Sequence, residues 1–180
     1  MYVRKSALIL SVVVVVGALG ACDKKSEQAE TTQGATTSGA TQQLEPVLAS
    51  YETIRAQLAR DEIEAAVTSA GTLEKAATDA AGAAPDRLRS SLGSLASAAG
   101  QLKQAPKNDA TSVRRTFGDV SKAVVELLTA EPSLRKGQHL FECPMAQGYK
   151  KWVQPSEKLA NPYMGKEMLE CGEASKWEGG

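Results

Sequence analysis

The residues best equipped for chemistry in this chain carry sulfur. Cys143 and Cys171 stand 28 residues apart near the C-terminus, and three of the four methionines, Met145, Met164 and Met168, lie with them. Thiolate and thioether sulfur are soft donors that select Cu(I), Ag(I) or, through thiolate, Zn(II). Met145 follows Cys143 by two positions with Pro144 fixing the backbone between them, and Met168 precedes Cys171 by three, a spacing that sets both sulfurs on one side of a helical turn. If the two halves fold together, one Cys and one Met from each surround a single ion. His139, the only histidine, adds an imidazole that suits copper and zinc alike.

A second chemistry competes for the same atoms. Two cysteines in an oxidising compartment usually pair. A Cys143–Cys171 disulfide closes a long loop and contributes about 3–4 kcal/mol in the chain-entropy account. It also removes the thiolates a metal requires, so the two states exclude each other at any one moment. The methionines are then gap-filling core, and His139 a surface or docking residue.

The compartment is written at the other end of the chain. Arg4 and Lys5 precede an apolar run from Ala7 to Leu19, too short for a comfortable membrane span and flanked like a secretory signal. Leu19-Gly20-Ala21-Cys22 resembles the lipobox of bacterial lipoproteins, which implies cleavage before Cys22 and diacylation of its thiol. Residues 1–21 are thus expected to be a signal peptide, and residues 22–43 the lipidated cysteine and a tether. The expected place is the bacterial cell envelope, lipid-anchored and facing the periplasm. Asp23 resembles the retention signal that keeps enterobacterial lipoproteins at the inner membrane.

Cleavage takes two of the 21 basic residues, Arg4 and Lys5, leaving 19 against 21 acidic ones. That balance gives no reason to expect a nucleic-acid partner. From Asp23 to about Gln43 there is no aromatic and no large aliphatic residue, so a flexible tether is expected. About 20 such residues span roughly 25 Å.

From Leu44 the period becomes helical. Val47, Leu48, Tyr51, Ile54 and Leu58 predict a first helix over about Glu45–Ala59. Asp61 with Glu64 predicts a capping box for a second, with Ile63, Val67, Ala70, Leu73 and Ala77 on one face. Pro85 opens a third, facing inward with Leu88, Leu92, Leu95, Ala99 and Leu102. Asn108 or Asp109 caps a fourth carrying Val113, Phe117, Val120, Val124 and Leu127 or Leu128, stopped by Pro132. The expected fold is all-α: an antiparallel four-helix bundle over residues 44–132, its core narrow because it is rich in alanine. Residues 133–180, punctuated by Gly and Pro, are expected to be an irregular Cys/Met segment packed on the bundle as part of the same domain. Phe141, Tyr149, Trp152, Leu159 and Tyr163 are its docking groups.

Cys143-Pro-Met-Ala146, Gly148, Trp152, Asn161-Pro-Tyr163, Gly165, Met168-Leu169 and Cys171-Gly172-Glu173 together resemble a family of uncharacterised bacterial envelope domains. These occur as small lipoproteins and at the C-terminus of some Cus-type copper/silver efflux adaptors. Cys-Pro-Met also resembles the short heavy-metal-binding motif of such adaptors and of copper-exporting ATPases. The resemblance implies heavy-metal binding or efflux, with Cys143, Met145, Met168 and Cys171 as the functional set. Two positions depart from the family. Glu142 stands where a His commonly abuts the motif, and Met164 replaces an aromatic, adding a sulfur.

The sequence thus points to a lipoprotein binding Cu(I), Ag(I) or another soft heavy metal, in contact with the membrane and with a metal-efflux complex. The alternative is a disulfide-stapled helical envelope adaptor or assembly module with no metal. No second histidine, nucleophile–base pair, glycine-rich phosphate loop or C-x-x-C pair is present, so a non-enzymatic role is expected.

Overall fold

The computed structural model describes the backbone of residues 32–177 and the side chains of residues 43–177. The expected signal peptide, Cys22 and Asp23 lie outside the described residues. Four helices follow in order: α1 (Thr32–Ala59), α2 (Ile63–Ala83), α3 (Asp86–Lys103) and α4 (Ala110–Ala130). Short connections turn the chain back each time, so α1 packs on α2, α2 on α3 and α3 on α4. The inward faces are those the period predicts. Val47, Ile54, Leu58, Leu73, Leu88, Leu92, Leu95, Leu102, Phe117, Val124 and Leu127 are fully buried. Ala66, Ala70, Ala77 and Ala99 line the same core, where a small side chain lets helix axes approach. None of these helices is long and apolar enough to cross a membrane.

Three expectations are corrected. The tether was expected to run to residue 43, but α1 begins at Thr32 and passes through Pro46. Polar composition argues against burial, not against helix, and extending a helix costs far less than starting one. Asp61 does not cap α2. Its backbone is left-handed (φ 61°), Glu62 occupies the cap position without a side-chain bond, and the Asp61 carboxylate is used elsewhere. Asp109, by contrast, does cap α4, accepting from the Ser112 N–H at 3.0 Å.

The third correction concerns residues 133–177, which are not merely irregular. After a 3₁₀ turn at Pro132–Arg135 come β1 (His139–Glu142), β2 (Lys151–Gln154) and β3 (Glu173–Ala174), an antiparallel sheet in the order β2-β1-β3. The all-α expectation therefore holds for the bundle and fails for this segment. Four-residue strands carry too little alternation to be read from sequence.

This sheet sits against α4 through β2. A row of rings joins it to the helices. Tyr51 of α1 stacks on Phe117 of α4, Phe117 meets Tyr163, Tyr163 meets Trp152 of β2, and Trp152 stacks on Phe141 of β1. Successive centroids are 5.7, 5.8, 5.9 and 5.6 Å apart, the range in which aromatic pairs attract.

Candidate metal centre

Cys143 is placed by β1. Its N–H donates to the Lys150 carbonyl at 3.0 Å, one step beyond the last strand residue. Its own carbonyl accepts from the Ala146 N–H at 3.1 Å, closing a tight turn through Pro144 and Met145. Lys150 Nζ donates to the Pro144 carbonyl at 2.9 Å and secures the turn's outer side. The turn buries Cys143 and Ala146 and leaves Met145 59% exposed.

Cys171 is placed by Asn161, which is fully buried. Asn161 Nδ2 donates to the Cys171 carbonyl at 2.6 Å, while its Oδ1 accepts from the N–H groups of Tyr163 (2.8 Å) and Met164 (3.2 Å). Its backbone N–H donates to Leu169 at 2.8 Å, and the Cys171 N–H donates to Met168 at 3.0 Å. A short polar side chain ahead of a proline thus organises the whole Asn161–Cys171 loop. Gly172 then lies so close to the Glu142 carbonyl and the Trp152 ring that a Cβ would stand 2.9 and 3.0 Å from them. Only glycine passes there.

Register completes the site. Glu142 pairs with Glu173 across β1 and β3, so Cys143, next after Glu142, and Cys171, one residue beyond Gly172, are brought to the same end of the ladder. Their sulfurs are 3.8 Å apart, both as free thiols, Cys143 buried and Cys171 half-buried. Burial pushes the Cys171 thiol up from its ordinary value, and the adjacent Cys143 pushes it further. Both effects oppose a second negative charge beside the first.

A clamp fixes the loop to the bundle. Arg114 of α4 pairs with the Asp61 carboxylate and donates to the Leu58 and Pro162 carbonyls, each at 3.2 Å. The other Asp61 oxygen accepts from the Lys166 N–H at 3.1 Å. Gly165, at φ 63°, packs so tightly on Asp61 and Arg114 that a Cβ would overlap them. A second network runs through the bundle: Val153 N–H donates to the Tyr51 hydroxyl (3.1 Å), Tyr51 shares a bond with Ser121 (2.9 Å), and Ser121 and Tyr163 both donate to the Lys151 carbonyl (2.9 and 2.7 Å). Desolvation raises the Tyr51 hydroxyl to about 12, and burial lifts Tyr163 well above its usual range.

Of the six expected ligands, the structure brings Cys143 and Cys171 together. Met168 shares the turn that holds Cys171. Met145 and Met164 line a separate cleft of about 250 Å³ with Arg114, Arg115, Tyr163 and Glu167. His139 is not brought to the thiols. It begins β1, four residues before Cys143, and rests against the Phe141 ring at 6.5 Å. An extended chain rises about 3.3 Å per residue, which puts its backbone roughly 13 Å from that of Cys143. Among the described residues, no group of three or more His, Cys, Asp or Glu side chains gathers at one point. Asn161 and Gly165 belong to the motif though not to the expected ligand set, whereas nothing in the sequence marks Asp61 and Arg114 as site-forming residues. Asn161-Pro162 is a turn signal legible in sequence; the Asp61–Arg114 pair spans 53 residues and left no local trace.

No protein-family model, no curated protein and no solved structure matches this chain.

Proposed function

We propose that this chain is a lipid-anchored, non-enzymatic protein of the bacterial cell envelope that binds a soft heavy-metal ion, Cu(I) or Ag(I), in connection with metal efflux or resistance. One observation carries the reading: two free thiols from distant positions meet at 3.8 Å, Cys143 buried and Cys171 half-buried. Two thiolates about 2.3 Å from an ion stand about 3.8 Å apart at a tetrahedral angle and about 4.6 Å apart in a linear pair, so a movement of under about 1 Å lets the two sulfurs grip an ion in either geometry. Thiolate pairs of this kind select soft monovalent ions over Mg²⁺ or Ca²⁺. Met168, three residues before Cys171 and in the same turn, is the further sulfur donor that stays beside a thiol in the fold.

Binding must displace the thiol protons, and the raised Cys171 thiol holds its proton more firmly than an exposed cysteine does. Affinity therefore rises with pH through the range in which that thiol would otherwise remain protonated. A native mass spectrum of the reduced protein supplied with Cu(I), recorded at two pH values, tests this. One copper per chain that survives a competing Cu(I) chelator, no longer held against it in Cys143→Ser and Cys171→Ser and weaker at the lower pH, is the expected result; equal retention in wild type and both variants sinks it.

The same approach of the sulfurs favours one other reading, a disulfide-stapled envelope adaptor or assembly module. The S–S distance must close to about 2.05 Å for that. A mass two hydrogens light and metal-free, after export to an oxidising periplasm in copper-supplemented medium, identifies it.

A further inference from the structure

We infer that the cleft lined by Met145 and Met164 is a capture site, where a soft ion is first held by two thioethers before it reaches the Cys143 and Cys171 thiols; this rests on the soft-metal reading above. Met145 is the exposed large apolar side chain among the described residues, at 59%. A thioether that fills no gap in the core is not explained by packing. The Cys143–Ala146 turn, closed by its own hydrogen bond and by Lys150, holds Met145 outward while Cys143 points in. Met164 joins it in the same cleft because Asn161 Oδ1 accepts from the Met164 N–H and fixes that loop.

The cleft adjoins the thiols through its own wall. Tyr163 and Ala146 line it, and Ala146 is hydrogen-bonded to the Cys143 carbonyl. Arg114 is paired with Asp61, and the Glu167 carboxylate lines the cleft together with Arg115. Uncharged thioethers hold Cu(I) or Ag(I) less tightly than thiolates do, so transfer inward runs downhill. This differs from the four-sulfur cage that the spacing suggests: Met145 is grouped with Met164, and works ahead of the thiols.

Two measurements test the inference. In the full chain bearing Cys143→Ser and Cys171→Ser, with methionine methyls labelled for NMR, Ag(I) should shift the Met145 and Met164 signals together, saturating at one ion per chain, and leave Met168 unmoved. Stationary signals, or an equal shift of Met168, overturn it. If those serines unfold the protein, Met145→Leu/Met164→Leu in the reduced wild-type background serves instead. That variant should take Cu(I) from a chromophoric chelator at least about tenfold more slowly, the scale on which even an outer partner of a metal matters, with unchanged final stoichiometry. An unchanged rate overturns the capture site. Methyl shifts in a protein whose intact thiols add no binding would instead remove the thiol reading and leave the thioether site standing.

Discussion

The helical part of this chain and its sulfur-bearing part are held by different forces. The bundle buries apolar faces whose members are interchangeable in kind: Leu88, Leu92, Leu95 and Leu102 on α3 all reach zero exposure without a directional bond among them. The C-terminal part is held by bonds that have direction. Five polar or charged residues are buried among the described residues, Arg55, Ser121, Glu131, Gln154 and Asn161. All but Glu131 bond within or onto residues 151–171: Arg55 to Ala160, Ser121 to Lys151, Gln154 to Trp152, Ser156, Lys158 and Ala160, and Asn161 to Cys171. Apolar area tolerates small slides of one element on another, whereas two sulfurs that must meet do not. Directional bonds are placed where position matters.

Phe117 is where the two kinds of support meet, and its removal should be the largest single effect. Phe117→Ala strips a fully buried ring from contact with both Tyr51 and Tyr163, costing about 3–5 kcal/mol. Urea unfolding followed by helix signal and by tryptophan fluorescence should shift together. Separate transitions would show that the two parts fold independently.

Alkali should weaken the junction next. The folded state raises the Tyr51 hydroxyl from 10.0 to about 12. The folded chain holds that proton more firmly than the unfolded chain does, so stability is intact below pH 10 and falls as pH climbs toward 12. Two pH units correspond to roughly 3 kcal/mol. Denaturant midpoints from pH 8 to 11 should therefore decline with a slope that Tyr51→Phe flattens; parallel curves for the two proteins would refute the assignment.

Asn161→Ala sharpens the comparison, because it should act on one part alone. Losing its bonds to Cys171, Tyr163 and Met164 costs about 1–3 kcal/mol. Helix content should stay while alkylation of Cys171 speeds up and metal binding falls. Helices that melt along with the loop would mean that the two parts share one kind of support. His139→Ala stands at the small end, under about 0.5 kcal/mol. With the imidazole at the far end of β1 from Cys143, copper stoichiometry should not change; a lost copper would return His139 to the ligand set.

The four helices were legible because a 3.6-residue period repeats over four or more turns in each, and a repeated signal survives local noise. Leu88, Leu92, Leu95, Ala99 and Leu102 announce their face without reference to any other part of the chain. Sequence likewise singled out Cys143 and Cys171, since sulfur chemistry is a property of the residue type. Neither the sheet nor the fate of the methionines was legible. Strand β3 has two residues, and its pairing with β1 depends on a loop held by its own Asn161, by Asp61 in the α1–α2 turn and by Arg114 of α4. Sequence spacing joined Met145 to the thiols because the two positions are neighbours along the chain. The turn closed by the Ala146 N–H sends them to opposite sides, burying Cys143 and exposing Met145. Residue types and periodicity are local and were fixed by the sequence itself. Which sulfurs meet is decided by bonds across 53 to 105 positions, and only the tertiary structure makes those.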